Sequence, residues 1–348
     1  MKKYFLVTIL LTATTLLSGC SSTPKTTTPV VKVPVSNIMK SIDGGANWEA
    51  KDKTADKVTL ASIDVISMAV NPYDGKNVFV GTLKNGILKT DDGGENWSLL
   101  KFPAEKTYGL AIDNIDSRVI YASGVWQGRG KIFKSINGGT DWNEIYTAPS
   151  DGPLVISLTM SKKNSNVLYA TTSDNQMMKS VDAGSSWKNI FVSPSPVLKI
   201  AIDATNDNLL YMNLQTGNIL RSTDGGVTNE ESSMDINRGI GFIETDPFHA
   251  SWVYAGGQAG LFRSKDAGKT WETLKTLGDS KTFPVKAVAI SPTNSNEIIY
   301  GAAQATYKSV DGGVNWATFQ LETKNTVSLL RYSSTEPDVF YMGLRKSN

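Results

Sequence analysis

Few side chains in this sequence combine the type and spacing that catalysis requires. His249 is the single histidine among 348 residues, and it has no partners at the spacing of a metal site or a catalytic triad, which is typical of a solvated loop histidine. Clamping a substrate carboxylate takes several arginines in bidentate contact. Arg129, Arg238 and Arg345 are placed to reach one common face, but no recognisable tyrosine–glutamate pair accompanies them. We therefore expect binding rather than catalysis, with no cofactor and no metal.

The stretch SGVWQGRGK at 123–131 contains residue types that are enriched in protein-binding hot spots. Trp126 and Arg129 flank Gln127 there, and tryptophan and arginine contribute disproportionately to binding energy. Corresponding segments elsewhere in the chain are shorter, such as TLKNG at 82–86. The alternative, given equal weight, is that Trp126 folds back over its own strands. We predict a binding loop here, with Arg238 and Arg345 as further candidates on the same face.

An eight-residue phrase occurs seven times and must organise the elements that position these residues. It reads SIDGGANW at 41–48 and TDDGGENW at 90–97, and successive copies start 49, 45, 45, 42, 42 and 45 residues apart. Periods of this size indicate a repeat fold. The Asp position is occupied by Asp43, Asp92, Asn137, Asp182, Asp224, Asp266 and Asp311, and the Trp position by Trp48, Trp97, Trp142, Trp187, Asn229, Trp271 and Trp316.

The phrase has the chemistry of a hairpin turn rather than of a metal site. Its glycines supply positive φ, its Asp can accept hydrogen bonds from the turn's own amides, and its Trp can pack over the sheet. A calcium loop needs at least five oxygen ligands, and each copy offers one or two carboxylates. Losing one ring, as in Trp187→Ala, is expected to cost about 3–5 kcal/mol of packing. Asn137 can make turn contacts like those of Asp, whereas Asn229 predicts a loosely packed blade.

Each period contains four short apolar runs bounded by turn residues, with no helical pattern. One period reads MAVNP, NVFVG, ILKT and, after the phrase, SLLKF. Four antiparallel strands in about 45 residues describe one blade of a β-propeller. The chain begins with the last two strands of a blade and ends with the first two. The sequence therefore predicts an all-β, seven-bladed propeller closed by pairing the N-terminal strands with the C-terminal strands.

Two features of the repeated strands carry charge. The first strand of five blades has a small residue at one position, whereas Glu244 and Arg331 occupy it in the other two; we predict that they pair near the axis or line a channel used by a ligand. The third strands end in a basic residue that we expect to be solvated and close to the Asp of its own phrase, although an anion-binding ring is the alternative. These basic residues are Lys40, Lys89, Lys134, Lys179, Arg221, Arg263 and Lys308.

The phrase resembles the Asp box, also called the BNR repeat. The resemblance covers the chain from residue 36 onward and implies a seven-bladed propeller. Among Asp-box proteins the chain is similar in architecture to photosystem II assembly and stability factors, and more distantly to sialidase and sortilin-type propellers. The resemblance implies a scaffold that holds partner proteins. Sialidases carry an Arg-Ile-Pro motif that is absent here, and Asp-box glucanases have two propellers facing each other where this sequence predicts one.

The N-terminal residues predict export and lipid attachment. Met1-Lys2-Lys3 precedes an apolar run that is too short to span a bilayer, and Leu17-Ser18-Gly19-Cys20 resembles a bacterial lipobox. We expect a signal peptide at 1–19, a lipidated flexible tether at 20–35 that starts at Cys20, and the propeller at 36–348. Removing residues 1–19 leaves 33 basic and 33 acidic side chains, which argues against nucleic acid as a partner.

These observations favour a lipid-anchored, extracytoplasmic protein-interaction scaffold, on the outer membrane of a two-membrane cell or the surface of a one-membrane cell. The expected partner is a protein, either part of a membrane complex or a cell-envelope component. A carbohydrate-binding or glycoside-hydrolase-like propeller is the alternative, with a glycan as its ligand.

Overall fold

The computed structural model describes residues 36–54, 56, 58–149, 152–232 and 239–346. These residues form 28 β-strands and one turn of 3-10 helix at Leu60–Ser62. In chain order the strands are β1 Ile38–Ser41, β2 Glu49–Ala50, β3 Val65–Asn71, β4 Asp74–Thr82, β5 Ile87–Thr90, β6 Ser98–Leu99, β7 Lys106–Ile112, β8 Ile120–Trp126, β9 Arg129–Ser135, β10 Asn143–Thr147, β11 Val155–Met160, β12 Leu168–Thr172, β13 Gln176–Ser180, β14 Lys188–Val192, β15 Val197–Ile202, β16 Leu210–Leu214, β17 Ile219–Ser222, β18 Glu230–Glu231, β19 Ile240–Thr245, β20 Val253–Gly257, β21 Gly260–Ser264, β22 Glu272–Leu274, β23 Val285–Ile290, β24 Ile298–Ala302, β25 Ala305–Ser309, β26 Ala317–Gln320, β27 Thr326–Tyr332 and β28 Phe340–Arg345.

The strands form seven antiparallel four-stranded sheets, which confirms the predicted propeller. Blade 1 is β3–β6, and each following group of four strands is the next blade up to β23–β26 as blade 6. Blade 7 has the order β2-β1-β28-β27, so strands from both ends of the chain share one sheet. Ile38 pairs with Gly343 and Ser41 with Phe340 across this closure. The pairing removes two open strand edges that would otherwise be free to associate with other chains.

The Asp box is a hydrogen-bonded turn between the third and fourth strands, as predicted. In the first copy, Ser41 Oγ donates to Asp43 Oδ1 at 2.8 Å and accepts from the Gly45 amide at 2.9 Å. The Asn47 amide donates to Asp43 Oδ1 and the Asn47 side chain to Asp43 Oδ2. The Gly44 amide donates to Asp338 O, in the loop between the first two strands of the same blade. The box therefore locks its own hairpin and ties it to the inner part of the blade.

The box containing Asn137 keeps this geometry because the carboxylate and the amide side chain have exchanged positions. The Asp141 amide donates to Asn137 Oδ1 at 2.9 Å, and Asn137 Nδ2 donates to Asp141 Oδ2 at 2.8 Å. In the first box the carboxylate is at position 43 and the amide at position 47; here the amide comes first and the carboxylate second. The expectation that Asn137 makes similar turn contacts is confirmed.

The two box glycines have different reasons to be glycine. The first position has φ near +70°, and Ala183 and Ala267 occupy it in two boxes with φ of 56° and 63°. At Gly44, the atom nearest to a Cβ would be the movable end of a lysine side chain, Lys308 Nζ. The second position is crowded: a Cβ on Gly139, where φ is 88°, would lie 2.7 Å from Leu100 Cδ1 of the preceding blade. The second glycine thus lets the box pack closely against its neighbouring blade.

Three of the basic residues that end the third strands donate to a carbonyl in the box of the next blade, so the expectation that each lies by the Asp of its own box is wrong for them: Lys134, Lys179 and Arg263. Lys134 Nζ of blade 2 donates to Ala183 O in the box of blade 3, at 3.2 Å, and so does Tyr121 OH, at 3.1 Å. Burial raises the pKa of Tyr121 to about 12, so its hydroxyl stays protonated and donates. Lys89 is an exception, since its Nζ lies 3.0 Å from Asp91 of its own box. Lys134 Nζ also lies 5.2 Å from the ring centroid of Tyr121, its cross-strand partner.

Within the described part of the chain, no helix is long and apolar enough to cross a membrane.

Candidate functional site

The first strands of the seven blades surround a central channel, and its charged lining residues come from blades 3 to 7: Lys162, Lys199, Glu244, Lys286 and Arg331. One position of the first strand has an equivalent cross-strand partner on the second strand in every blade. In five blades this first-strand position carries a small residue: Ala69, Ala111, Thr159, Ala201 and Ala289. Glu244 of blade 5 and Arg331 of blade 7 occupy the same position. Because Ala289 of blade 6 is short, Arg331 can reach past it.

Glu244 and Arg331 are close together, which confirms the predicted proximity. Arg331 Nη1 lies 3.6 Å from Glu244 Oε2 and also donates to Leu330 O. Lys199, which sequence reasoning missed, makes the closer contact, with its Nζ 2.6 Å from Glu244 Oε2. It stands two residues before Ala201, where other blades have Ser67, Gly109 and Ser157. Aligning the first strands of the seven blades identified Glu244. The same alignment, read two residues earlier along the strand, would have identified Lys199.

The electrostatics of this cluster hold Glu244 ionised. Burial raises the pKa of its carboxyl, but the attraction of Lys199 and Arg331 outweighs burial and lowers that pKa to about 2. Burial also lowers the pKa of Lys199, against the opposing effect of Glu244. A general acid near neutral pH needs a raised pKa, so Glu244 is unsuited to donate a proton. Among the described residues that line the channel, Glu244 is the one carboxylate.

The stretch around Trp126 is an extended hairpin and not the long loop that the sequence predicted. Strands β8 and β9 continue to Trp126 and Arg129, which pair with each other, and only Gln127 and Gly128 form the turn. Both turn residues have positive φ, as a tight two-residue hairpin requires. Trp126 is 38% exposed at this tip. The extra residues lengthen the strands because the turn has the compact geometry that pairing favours.

Arg129 is held by its own blade. Its Nε donates to Ala148 O at 2.8 Å, and one of its terminal nitrogens contacts the same carbonyl. Trp126, Gln127 and Arg129 therefore form one structural unit on the face opposite the Asp boxes. Arg345 ends β28 of blade 7 on that same face and is exposed, with blade 1 between it and the hairpin. The structure thus does not bring Arg345 together with Trp126.

The remaining sequence candidates are placed as follows. His249 lies in the loop after β19, where its Nδ1 is 2.8 Å from Ser295 Oγ and its ring stacks on Trp252 at 4.4 Å. Cys20 and Arg238 lie outside the described residues, as do the predicted signal peptide and tether. Among the residues that are described, no group of three or more His, Cys, Asp or Glu side chains could hold a metal ion.

Comparison with known proteins supports the repeat assignment. Residues 192–342 match the family described as photosynthesis system II assembly factor YCF48. No curated protein matches the chain. A solved structure of YCF48 bound to D1 peptide has a TM-score of 0.64 at 13% identity, over 82% of this chain and 93% of that one. YCF48 from Cyanidioschyzon merolae gives 0.62 at 16% identity, over 81% and 95%.

Glycoside hydrolases of family GH74 share the fold. The Niastella koreensis GH74 enzyme has a TM-score of 0.67 at 17% identity, over 88% of this chain and 52% of the enzyme, so this chain spans about half the enzyme's length. At these identities the structural likeness establishes the fold alone. Together with the seven boxes and the family match over residues 192–342, it shows that the chain is an Asp-box (BNR) repeat seven-bladed β-propeller resembling the photosystem II assembly-factor propellers.

Proposed function

We propose that this chain is a non-catalytic scaffold that holds a partner protein during assembly of a membrane complex. The observation that carries the proposal is the family match, since the matching family is described as an assembly factor. The solved YCF48 that shares this fold is described as bound to D1 peptide, which supports a protein as the kind of partner. The ionised Glu244 adds support, because a lowered pKa suits an ion pair and not acid catalysis.

The hairpin tip of blade 2 is the contact that we propose for this partner. Trp126 is 38% exposed on two paired strands, and Arg129, its cross-strand partner, is fixed by its hydrogen bond to Ala148 O. A rigid aromatic side chain loses little conformational freedom on binding, which makes it an efficient anchor. On the box face, many polar side chains are already engaged in holding the turns and blades together. The hairpin tip lies on the opposite face, away from these turns.

Replacing Trp126 by alanine is expected to reduce partner recovery at least tenfold, since loss of a hot-spot ring costs about 2 kcal/mol or more. The measurement is crosslinking in cells followed by mass spectrometry of the proteins that accompany the tagged chain. Phe248→Ala is the matched control, because Phe248 is an exposed aromatic residue on the box face. Equal recovery with both variants would argue against the hairpin, and no enriched protein with the unmodified chain would argue against the scaffold itself.

We further propose that the protein is anchored through a lipid on Cys20 and acts outside the cytoplasm. The motif Leu17-Ser18-Gly19-Cys20 supports this location. Cys20→Ser is expected to move the protein from the membrane fraction to the soluble fraction, as measured by fractionation and immunoblotting. Unchanged membrane association of that variant would contradict the lipid anchor.

A glycan ligand is the second candidate, supported by the fold shared with GH74 enzymes. Sugars stack on exposed aromatic rings, and Trp126 offers one. Hydrolysis would additionally need two carboxylates flanking the scissile bond. If the crosslinking experiment enriches no protein, a glycan panel with the purified chain and its Trp126→Ala variant is the test that decides for this alternative.

A further inference from the structure

Every blade carries a β-bulge at the same place in its first strand. The register shifts by one residue there, so that one residue per blade has no partner on the second strand. A bulge re-aims side chains, and all seven unpaired residues line the mouth of the channel opposite the boxes. Blades 1–4 contribute the apolar arc Ile66, Tyr108, Ile156 and Leu198. Blades 5–7 contribute Gly241, Lys286 and Ser328, so the ring is apolar on one side and polar on the other.

A buried amide without a partner faces this mouth. Asn213 pairs with Lys199 across β15 and β16 and lines the cavity, which measures about 240 Å³. Its residue is 0% exposed, and among the described residues neither its Oδ1 nor its Nδ2 has a hydrogen-bond partner. Buried amides are nearly always bonded, so this one calls for a donor and an acceptor from outside the described protein. The matching position is small in the other blades: Gly81, Ser123, Thr171, Gly256, Gly301 and Gly343.

Gly241 of blade 5 lines the same cavity as Asn213. Its φ is not positive, so the backbone does not require glycine there. A Cβ built on Gly241 would meet no described atom closer than Gly256 O at 3.9 Å. The other six bulge residues bear side chains, whereas the bulge of blade 5 bears none and leaves a recess at Gly241. A ligand group could therefore enter the wall of the channel at this one place.

The charges at the mouth favour an anion. Lys199, Lys286 and Arg331 stand against the single carboxylate of Glu244, which leaves two positive charges in excess. Lys199 keeps about a third of its side chain accessible, and Arg331 nearly as much. Both cations can therefore meet a ligand without first breaking their contacts to Glu244. Water is partly excluded from such a cleft, which strengthens attraction for an opposite charge.

We propose that the channel mouth binds a carboxylate-bearing ligand that also carries an amide group and a small apolar group. The carboxylate contacts Lys199 and Arg331, the amide pairs with Asn213 in the Gly241 recess, and the apolar group lies on the arc of blades 1–4. A free N-acylated amino acid and the last residue of a polypeptide both present this chemistry. The site does not depend on the scaffold function and is tested on the purified full chain.

N-acetyl-leucine is the probe that combines the three groups, and we expect it to bind with a Kd of about 1 mM, as its size allows. Saturation-transfer NMR or calorimetry measures this affinity. N-acetyl-leucinamide lacks the carboxylate, and 4-methylpentanoate lacks the amide; each should bind at least tenfold more weakly. Equal binding of N-acetyl-leucine and its amide, or no binding of either, would overturn the proposal.

Variants place the ligand in the recess. Gly241→Leu fills it and should abolish binding, while Asn213→Ser, which installs the residue type of blade 2, should weaken binding about tenfold without lowering the unfolding temperature. Ile136→Leu changes an exposed side chain in the Asp box of blade 2, on the opposite face, and is the control that should bind like the unchanged protein. Arg331→Leu removes a cation and should also weaken binding. This variant keeps the proposal testable if one of the other variants fails to fold. Binding unaffected by these three recess and charge variants would refute the site.

One further probe distinguishes a polypeptide C-terminus from a free small acid as the ligand. The tripeptide Ala-Ala-Leu with a free C-terminus should bind more than tenfold tighter than N-acetyl-leucine if the site takes a chain end. Equal or weaker binding of the tripeptide assigns the site to a small free acid. Both results support a carboxylate site, whereas failure of every carboxylate probe contradicts it and leaves the scaffold proposal untouched.

Discussion

Replacing Trp97 by alanine is expected to lower the free energy of unfolding by about 3–5 kcal/mol, the cost of emptying a large buried aromatic site. Trp97 is 2% exposed and belongs to a cluster that includes Ile38 and Tyr341 of blade 7 as well as the strands of blade 1. Its amide also donates to Lys53 O, in the segment after blade 7. The variant therefore loses packing between the blade that closes the ring and the blade beside it. Urea unfolding followed by circular dichroism measures the effect.

The natural asparagine in the box of blade 4 supplies the matched control. Asn229 Nδ2 donates to Gly226 O at 3.0 Å, and Trp142 Nε1 makes the same bond to Gly139 O in blade 2. Asn229→Ala removes this bond but no large ring, so a loss of about 1 kcal/mol is expected. Trp187 is only partly buried, so its replacement by alanine should cost about 2–3 kcal/mol, less than the sequence predicted. Equal losses at 97 and 229 would show that the ring does not stabilise the blades.

The fold was predictable because its determinants are local and repeated. Glycine, aspartate and tryptophan act within one eight-residue turn, and the order of strands along the chain dictates where the two incomplete blades meet. The exchange of Asn137 and Asp141 shows why a departure from the pattern does not change the turn. The backbone bond is the same in both boxes, and the side-chain bond links the same two positions with its donor and acceptor exchanged.

The candidate site was less predictable because it depends on which way side chains point between blades. The direction of Lys134 toward the next blade requires knowing that Tyr121 lies across from it on the neighbouring strand. The recess at Gly241 arises from a bulge, and a bulge has no single-residue signature. Asn213 is recognisable only when its position is compared with the small residues of the other six blades. Both signals need the strand register, which repeat spacing alone does not supply.

Replacing Glu244 by glutamine is expected to lower the free energy of unfolding by about 2–3 kcal/mol at neutral pH. The change leaves Lys199 and Arg331 beside each other without an anion, and removing one partner of a fully buried ion pair costs about 3–5 kcal/mol. A smaller value is expected here because 27–33% of each of the three side chains meets the channel. Arg331→Gln is the matched control. It leaves Lys199 and Glu244 as a neutral pair 2.6 Å apart, so its cost should stay below about 1 kcal/mol.

The pH dependence separates this ion cluster from simple loss of packing. Because the folded pKa of Glu244 is lowered to about 2, its stabilising contribution is complete above the unfolded value of about 4.3 and is lost as pH falls toward 2. The stability difference between the unchanged protein and Glu244→Gln should therefore hold constant from pH 6 to about pH 5 and then shrink as the pH falls to 2. The box aspartates with lowered pKa values destabilise both proteins alike in acid, so they cancel in this difference. A difference that stays constant across this range would mean that Glu244 stabilises the channel by its shape and not by its charge.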